Sequence, residues 1–377
     1  MRGTTANILI RGTACMAAAF ALPAWAANGV VGPGNCNQAG FDSVLAAVDG
    51  SGGGTITFNC GTATIVFTNR KAIAHAVVID GGGSITLDGG GTSALFQIYA
   101  SANVTLRRLT LQHGVFNGGH MLENFGSLRL REVTVRNNIS GAAPLLNQNS
   151  LVVEASTFAD NTNNGAGSSG HGGAILNDGG PATIRFSTFS NNTATTGGGA
   201  IYSTSTLNVS NSTFSGNRAT ASSSGGGAIY VDSSDAGSLV HVTIADNSGG
   251  TFGGGFYSAN GALFVSRSII ANNANGNCDG MLTSGGYNVW AGSTSCALSA
   301  TGDGAGNPML GALANNGGPT WTRMPGNTSA AINRIPNAQC VLPVDQHGGG
   351  RPAGNGCDSG AVEAGAVLDL IFYDGFE

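Results

Sequence analysis

The sequence predicts an all-β fold of one architecture, a parallel β-helix, in which the chain winds as a solenoid and one repeat forms one turn. Three observations carry that prediction. The first is a glycine doublet followed by a short apolar run, at Gly172-Gly173-Ala174-Ile175, Gly198-Gly199-Ala200-Ile201, Gly226-Gly227-Ala228-Ile229 and Gly254-Gly255-Phe256-Tyr257. The second is an apolar residue three places before an asparagine, ending on Asn138, Asn161, Asn192, Asn217, Asn247 and Asn273. Both motifs return at a near-constant spacing that suits one turn of a solenoid. The third lies between these motifs. Segments such as Thr183-Ile184-Arg185-Phe186 and Thr206-Leu207-Asn208-Val209 alternate with period two and stop at Gly, Ser, Asn or Asp, as short strands between tight corners do. Hairpin turns of the Asn-Gly or Asp-Gly kind do not separate them, which disfavours an antiparallel meander.

Taken in order, residues 1–27 read as a secretory signal. Arg2 and Arg11 supply the charged region, residues 14–22 the apolar run, and Ala24-Trp25-Ala26 the small-x-small cleavage site. The apolar run is too short for a membrane span. An N-terminal cap is expected over 28–54. Within it Phe41, Val44, Leu45 and Val48 have helical spacing and Asn37 and Asp42 can start the turn, giving a short capping helix over about 38–48. The β-helix proper is expected over 55–290, where glycine doublets allow positive φ and close approach between coils. The asparagines tolerate tight corners and can form a side-chain amide ladder along the axis. A C-terminal cap follows over 291–366, and residues 367–377 form a tail.

Cysteine placement fits this plan. Cys15 falls in the leader, which leaves Cys36, Cys60, Cys278, Cys296, Cys340 and Cys357, all outside the central repeats. An even number in an exported chain points to disulfides, with fifteen connectivities open. Clustering favours three local bridges, Cys36–Cys60, Cys278–Cys296 and Cys340–Cys357, which would staple the open ends of the solenoid. No two of these cysteines are spaced as a Cys-x-x-Cys pair, so a zinc site is not expected.

Composition narrows the partners. The 63 glycines among 377 residues lack a Gly-X-Y period, which excludes collagen. Charged residues make up 9%, the net charge is −5, and Lys71 is the one lysine. Nucleic acid and anionic membrane surfaces are thereby disfavoured.

Several stretches resemble known families. Gly54-Thr55-Ile56-Thr57-Phe58-Asn59-Cys60-Gly61, Val78-Ile79-Asp80-Gly81-Gly82-Gly83 and Ile85-Thr86-Leu87-Asp88-Gly89-Gly90 are similar to the first coils of bacterial right-handed parallel β-helix proteins. The Gly-Gly-Ala-Ile and Phe-x-x-Asn repeats resemble those of polymorphic outer membrane proteins. From Asn307 the chain reads Asn-Pro-Met-Leu-Gly-Ala-Leu-Ala-Asn-Asn-Gly-Gly-Pro-Thr, then Asp345-Gln346-His347-Gly348, Arg351-Pro352 and Cys357-Asp358-Ser359-Gly360-Ala361-Val362-Glu363. This ordered set resembles the C-terminal region of choice-of-anchor Q proteins. Ala330-Ala331-Ile332-Asn333 departs from that family's Ser-Pro-Ala-Ile-Asp, which puts a turn or a carboxylate contact of the cap in question. The ending Leu370-Ile371-Phe372-Tyr373-Asp374-Gly375-Phe376-Glu377 resembles tails linked with anchoring or sorting. Together these resemblances imply a right-handed, pectin-lyase-like β-helix that is extracellular or outer-membrane-associated in a Gram-negative-type bacterium.

That fold hosts both enzymes and binding proteins, so function must come from a site. A lyase would need a basic residue beside calcium-bound uronate, and a hydrolase two or three carboxylates on adjacent coils. His171, between Gly170 and Gly172, matches one hydrolase motif, but the Asn-Thr-Asp, Asp-Asp and Arg-Ile-Lys motifs that accompany it are missing. Arg107, Arg129 and Glu123, with His113, His120 and Arg131 nearby, are the other polar concentration, and two coils can bring the first three onto one face. Asp160, Asp178, Asp232, Asp235, Asp246 and Asp279 are spread over successive coils. The reading is an exported, non-catalytic envelope protein, adhesin-like or for surface display, that meets an extracellular glycan or protein. The alternatives are a lyase or hydrolase acting on an acidic glycan, and a structural spacer. No cofactor is expected, calcium entering only with the lyase reading. No transmembrane span is expected, and oligomeric state is left open.

Overall fold

The computed structural model of the chain describes residues 26–115, 118–292 and 296–367. The leader expected over 1–27 lies outside the described residues except for its last two, and the tail lies outside them from residue 368 on.

The described chain is a parallel β-solenoid of about 10 turns. One turn shows how each is built. Strand Leu122–Asn124 lies on the first face, a short corner leads to strand Ser127–Arg136, and that strand bends at Glu132 onto a third face. Asn137 and Asn138 turn the next corner, a short strand Ile139–Ser140 follows, and the chain returns to Leu145–Asn147 one coil on. Register is maintained from coil to coil. Leu122 pairs with Leu145, then Ile175, Ile201, Ile229 and Phe256 in succession. These are inward positions, so each coil buries the same face of the pleat.

Stacked like residues fill the core. Phe158, Phe189 and Phe214 are fully buried, with neighbouring ring centroids 4.8 Å apart and planes within 6° and 4° of parallel. Burial of each ring contributes roughly 2–3 kcal/mol relative to exposure.

The corners explain the repeated polar residues. Asn138, Asn161, Asn192, Asn217, Asn247 and Asn273 point inward, and each Nδ2 donates to the next Oδ1 at 2.8 to 2.9 Å. The column begins at the Gly114 amide, which donates to Asn138 Oδ1 at 2.8 Å, and ends on Asn277 Oδ1, 3.1 Å from Asn273 Nδ2. A second ladder joins Asn124, Asn147, Asn177 and Ser203 at the end of the first face, with links of 2.6, 2.7 and 2.8 Å. In the glycine doublets the two residues do different jobs. Gly198 has φ +63°, while a Cβ on Gly199 would overlap the Gly227 carbonyl oxygen of the next coil. The fourth corner corrects the sequence alignment by one residue. Ile229 pairs with Phe256, so Gly253-Gly254 is the equivalent doublet and Gly255 occupies the alanine position.

A helix, α1 (Gln38–Gly50), closes the N-terminal end. Asn37 Oδ1 accepts the Gly40 amide at 3.0 Å as its N-cap, and Phe41, Leu45 and Val48 face the first coils. Phe41 packs 5.0 Å from Phe67 and 6.4 Å from Phe96. Lys71, nearly buried, reaches back to Asp42 of the helix at 2.6 Å. Cys36–Cys60 joins this cap to the first coil, and Cys278–Cys296 and Cys340–Cys357 lie at the other end.

The C-terminal segment does more than cover the last coil. Cys296 and Leu298 join the core there, and the chain then runs back along the third face. Gln346 is fully buried against it. Its Nε2 donates to Ser187 O at 3.2 Å, Thr188 Oγ1 at 2.9 Å and Thr320 Oγ1 at 3.0 Å, and its Oε1 accepts from Thr213 Oγ1 at 2.6 Å. Asn211 Nδ2 donates to Val344 O at 2.8 Å, and the Ala361 amide donates to Thr243 Oγ1 at 3.0 Å.

Candidate functional site

The ordered C-terminal motif is a buried ionic network. Asp345 accepts from the His347, Gly349 and Glu363 amides at 3.0, 2.7 and 2.7 Å, and its carboxylate lies 2.6 Å from His347 Nδ1. Arg351 pairs with Glu363 at 3.0 Å and donates to the Asp358 and Gly360 carbonyls. Burial pushes the Asp358 carboxyl up to about 6, against the Asn333 and Ala364 amides that hold it down. The position placed in question by Ala330-Ala331-Ile332-Asn333 still supplies an acceptor, because Asn333 Oδ1 takes the Gly356 amide at 2.9 Å. These groups hold the clasp together.

The arginine and carboxylate candidates are divided between two faces. Arg129 pairs with Glu154 at 2.5 Å, and Arg185 donates to the same carboxylate at 2.6 Å. Arg107 lies 3.0 Å from Asp80, which Arg108 also engages. Burial raises the Asp80 carboxyl, but the Arg108 hydrogen bond, the Gly82 amide and the two arginine charges outweigh it and hold the group below the usual carboxylate range. Arg107 and Arg129 thus project from the second face, in ion pairs between coils. Glu123 sits on the first face, held by Arg70 at 2.6 Å and Gln97 at 3.0 Å. The strands therefore do not gather Arg107, Arg129 and Glu123 into one groove. His113 meets Asp88 at 2.9 Å on a corner, and His120 Nδ1 lies 2.7 Å from Ala143 O. Among the described residues no group of three or more His, Cys, Asp or Glu converges as a metal site.

His171 stands apart from those groups, in a ridge on the first face. The outward positions of that face run in register from Glu123 through Leu146, Leu176, Tyr202, Tyr230 and Tyr257 to Asp279. The His171 ring lies on Tyr202 with centroids 3.8 Å apart and planes 3° from parallel, and Tyr202 lies on Tyr230 at 4.7 Å and 18°. Tyr257 turns 69° to Tyr230 at 5.0 Å and packs against exposed Phe252. Because the first three rings cover one another's faces, they present edges and polar atoms outward. Beside them opens a cleft of about 150 Å³, with Gly197 at the ring edges and Thr196, Ala221, Ser223 and Ser224 opposite.

Carboxylates border the ridge. Tyr202 Oη donates to Asp232 Oδ2 at 3.1 Å, Asn260 holds the other Asp232 oxygen, and Thr204 Oγ1 donates to Asp178 at 2.8 Å. Burial pushes the Tyr202 phenol up and the nearby Asp232 charge adds to it. Burial also lowers the His171 imidazole, opposed by Asp232 and Asp178. Among the described residues, the His171 ring nitrogens and the Tyr230 and Ser223 hydroxyls have no hydrogen-bond partner within the chain. Residues lining the cleft include no arginine or lysine.

Residues 118–300 match the family model of the right handed beta helix region. The chain is a right-handed parallel β-helix protein. No curated protein and no solved structure matches it. The matched stretch of this β-helix contains the ladders, the tyrosine ridge and the cleft, and the fold it describes does not itself assign an activity. No described helix is long and apolar enough to cross a membrane. Sequence reading singled out His171 but missed the tyrosines. Their signal was present, because Tyr202, Tyr230 and Tyr257 each follow the inward Ile201, Ile229 or Phe256. The second asparagine ladder was missed in the same way, as Leu-x-Asn in 122–124 and 145–147 and Ile-x-Asn in 175–177.

Proposed function

We propose that this β-helix is an exported, non-catalytic protein of the bacterial cell envelope, adhesin-like, that engages a glycan by the His171–Tyr230 cleft on its first face. The observation that carries the reading is the concentration, in one open cleft, of ring edges and of hydrogen-bonding groups with no partner inside the fold. Ligand pockets of this kind pair apolar surface with a few converging polar groups. The arginines expected to serve a lyase are by contrast held in ion pairs on another face from Glu123. Resemblance of the C-terminal motifs to choice-of-anchor Q proteins, and of the repeats to polymorphic outer membrane proteins, supports the envelope placement.

The test is to incubate the mature chain, with and without calcium, with a panel of neutral, amino and uronate polysaccharides. Binding, reducing ends and unsaturated-product absorbance are followed together. Retained binding that His171→Ala or Tyr230→Ala abolishes, with no product, is the expected outcome. Release of product would replace the adhesin-like reading with the lyase or hydrolase one.

A further inference from the structure

The chemistry of the cleft says more about its ligand than that it is a glycan. Uronate or sulfate recognition calls for a cation, and the cleft lining has none. The carboxylates that act on the ring groups of the cleft are Asp232 and Asp178, which stand along the ridge beside it. Asp232 lies at the hydroxyl end of Tyr202, half-buried, and Asp178 is exposed beside Thr204, two coils before Asp232. His171 sits in the field of both. The arginine-rich second face belongs to other strands of the coil.

Resting on the glycan reading above, we propose that the His171–Tyr230 cleft recognises an amino sugar with a free, protonated amine. In an oligomer of that sugar one ammonium lies toward Asp178 and another toward Asp232, roughly 10 Å apart at two coil spacings, while sugar hydroxyls take the His171 nitrogen and the Tyr230 and Ser223 hydroxyls. Both carboxylates already accept hydrogen bonds from the fold, from Thr204 to Asp178 and from Tyr202 and Asn260 to Asp232. They are therefore held in place before the ligand arrives, which lowers the ordering cost of binding.

The experiment is calorimetric titration of the mature chain at low salt with three hexamers, of glucosamine, N-acetylglucosamine and galacturonate. The glucosamine hexamer is expected to bind most tightly. Asp178→Asn with Asp232→Asn should weaken it about tenfold, from two partly exposed charge contacts of up to about 1 kcal/mol each. The double variant Asp160→Asn with Glu132→Gln makes the same change in net charge on other faces of the coil, Glu132 lying at the bend beside Arg131, and should leave binding unchanged. An equal loss in both double variants would reduce the effect to bulk charge and overturn the proposal. Equal or tighter binding of the N-acetylated or galacturonate hexamer, still sensitive to His171→Ala, would overturn amine recognition and leave the glycan site standing. Binding of none of the three would overturn amine recognition, and the wider panel would then decide the glycan reading. Circular dichroism of each variant separates these outcomes from misfolding.

Discussion

Replacing Asn192 by alanine tests the ladder as a source of stability. Its side chain is fully buried and makes four hydrogen bonds. Nδ2 donates to Asn217 Oδ1 and Phe158 O, both at 2.9 Å, and Oδ1 accepts from Asn161 N at 3.2 Å and Asn161 Nδ2 at 2.8 Å. Two of the side-chain partners keep another contact, because Asn161 Nδ2 also reaches Val135 O and Asn217 Oδ1 also accepts the Asn192 amide. The Asn161 amide is left without a partner in a dry corner, whereas the Phe158 carbonyl still faces the Ser190 amide of the paired strand. The orphaned amide costs ~1–3 kcal/mol, and the lost bonds and vacated space add a smaller term, so the expected loss is about 2–4 kcal/mol. Urea unfolding followed by far-UV circular dichroism measures it, and hydrogen exchange at Asn161 locates it. Asn191→Gly is the control, since Asn191 is exposed with φ +53° and the next coil already has Gly216 at the equivalent place. A loss below about 1 kcal/mol, with Asn161 still protected, would refute the view that the column stabilises the coils.

Gly199→Ala places a Cβ onto the Gly227 carbonyl and the Arg218 backbone. Neither can yield without parting two coils, so a loss of ~3 kcal/mol or more is expected, read as a lowered urea midpoint or insoluble expression. Gln346→Ala should free the clasp from the third face at a cost of about 2–4 kcal/mol, and limited proteolysis should then cut within residues 296–367 while the coils resist. His241 gives a pH test. It is fully buried, burial and then the Arg351 and Arg267 charges push its pKa well below 6.5, and the Gly360 and Asp358 carbonyls nearby do not reach hydrogen-bond geometry with its ring. The unfolded chain therefore takes up a proton there that the folded chain refuses, so stability falls as pH drops below about 6.5. Asp358, with its raised folded pKa, acts in the opposite sense between about 6 and 4, so the test is a difference. The stability of His241→Leu relative to the parent should improve by roughly 1.4 kcal/mol per pH unit below 6.5, and a difference independent of pH would show that His241 is protonated in the fold.

Much of this architecture could be read directly from the residues. The asparagine spacings are the lengths of the turns, and each spacing reappears as a hydrogen bond between Asn side chains. The helix over 38–48 extends only a little further, to Gly50. The fourth glycine corner was placed one residue late because three consecutive glycines, Gly253 to Gly255, look alike in sequence. Only the pairing of Ile229 with Phe256 distinguishes them. The candidate site was less legible. His171 was visible as a residue, but its partners Tyr202 and Tyr230 come from the next two coils, and their separation in sequence depends on loop length. Arg107, Arg129 and Glu123 fall within a short stretch, yet a single corner at 125–126 sends Glu123 and Arg129 to different faces.

Sequence alone determined the repeat, and with it the inward stacking of Ile, Phe and Asn, because a strand with one buried face admits one register and a side-chain amide needs a like partner one coil away. Tertiary structure decided what sequence could not encode position by position. The bend between the second and third faces is left-handed at Arg108, Glu132, Ala155, Phe186, Asn211, His241, Arg267 and Tyr287, a column of unlike residues with no local signature. Stacking on neighbouring coils imposes that conformation, whatever the side chain. Lateral docking of residues 320–361 was likewise invisible, since it depends on Gln346 meeting Ser187 and Thr188, which lie several coils earlier in the chain. Its physical cause is a third face that carries Thr188, Asn211 and Thr213 outward and becomes buried only when the clasp supplies their hydrogen-bond partners.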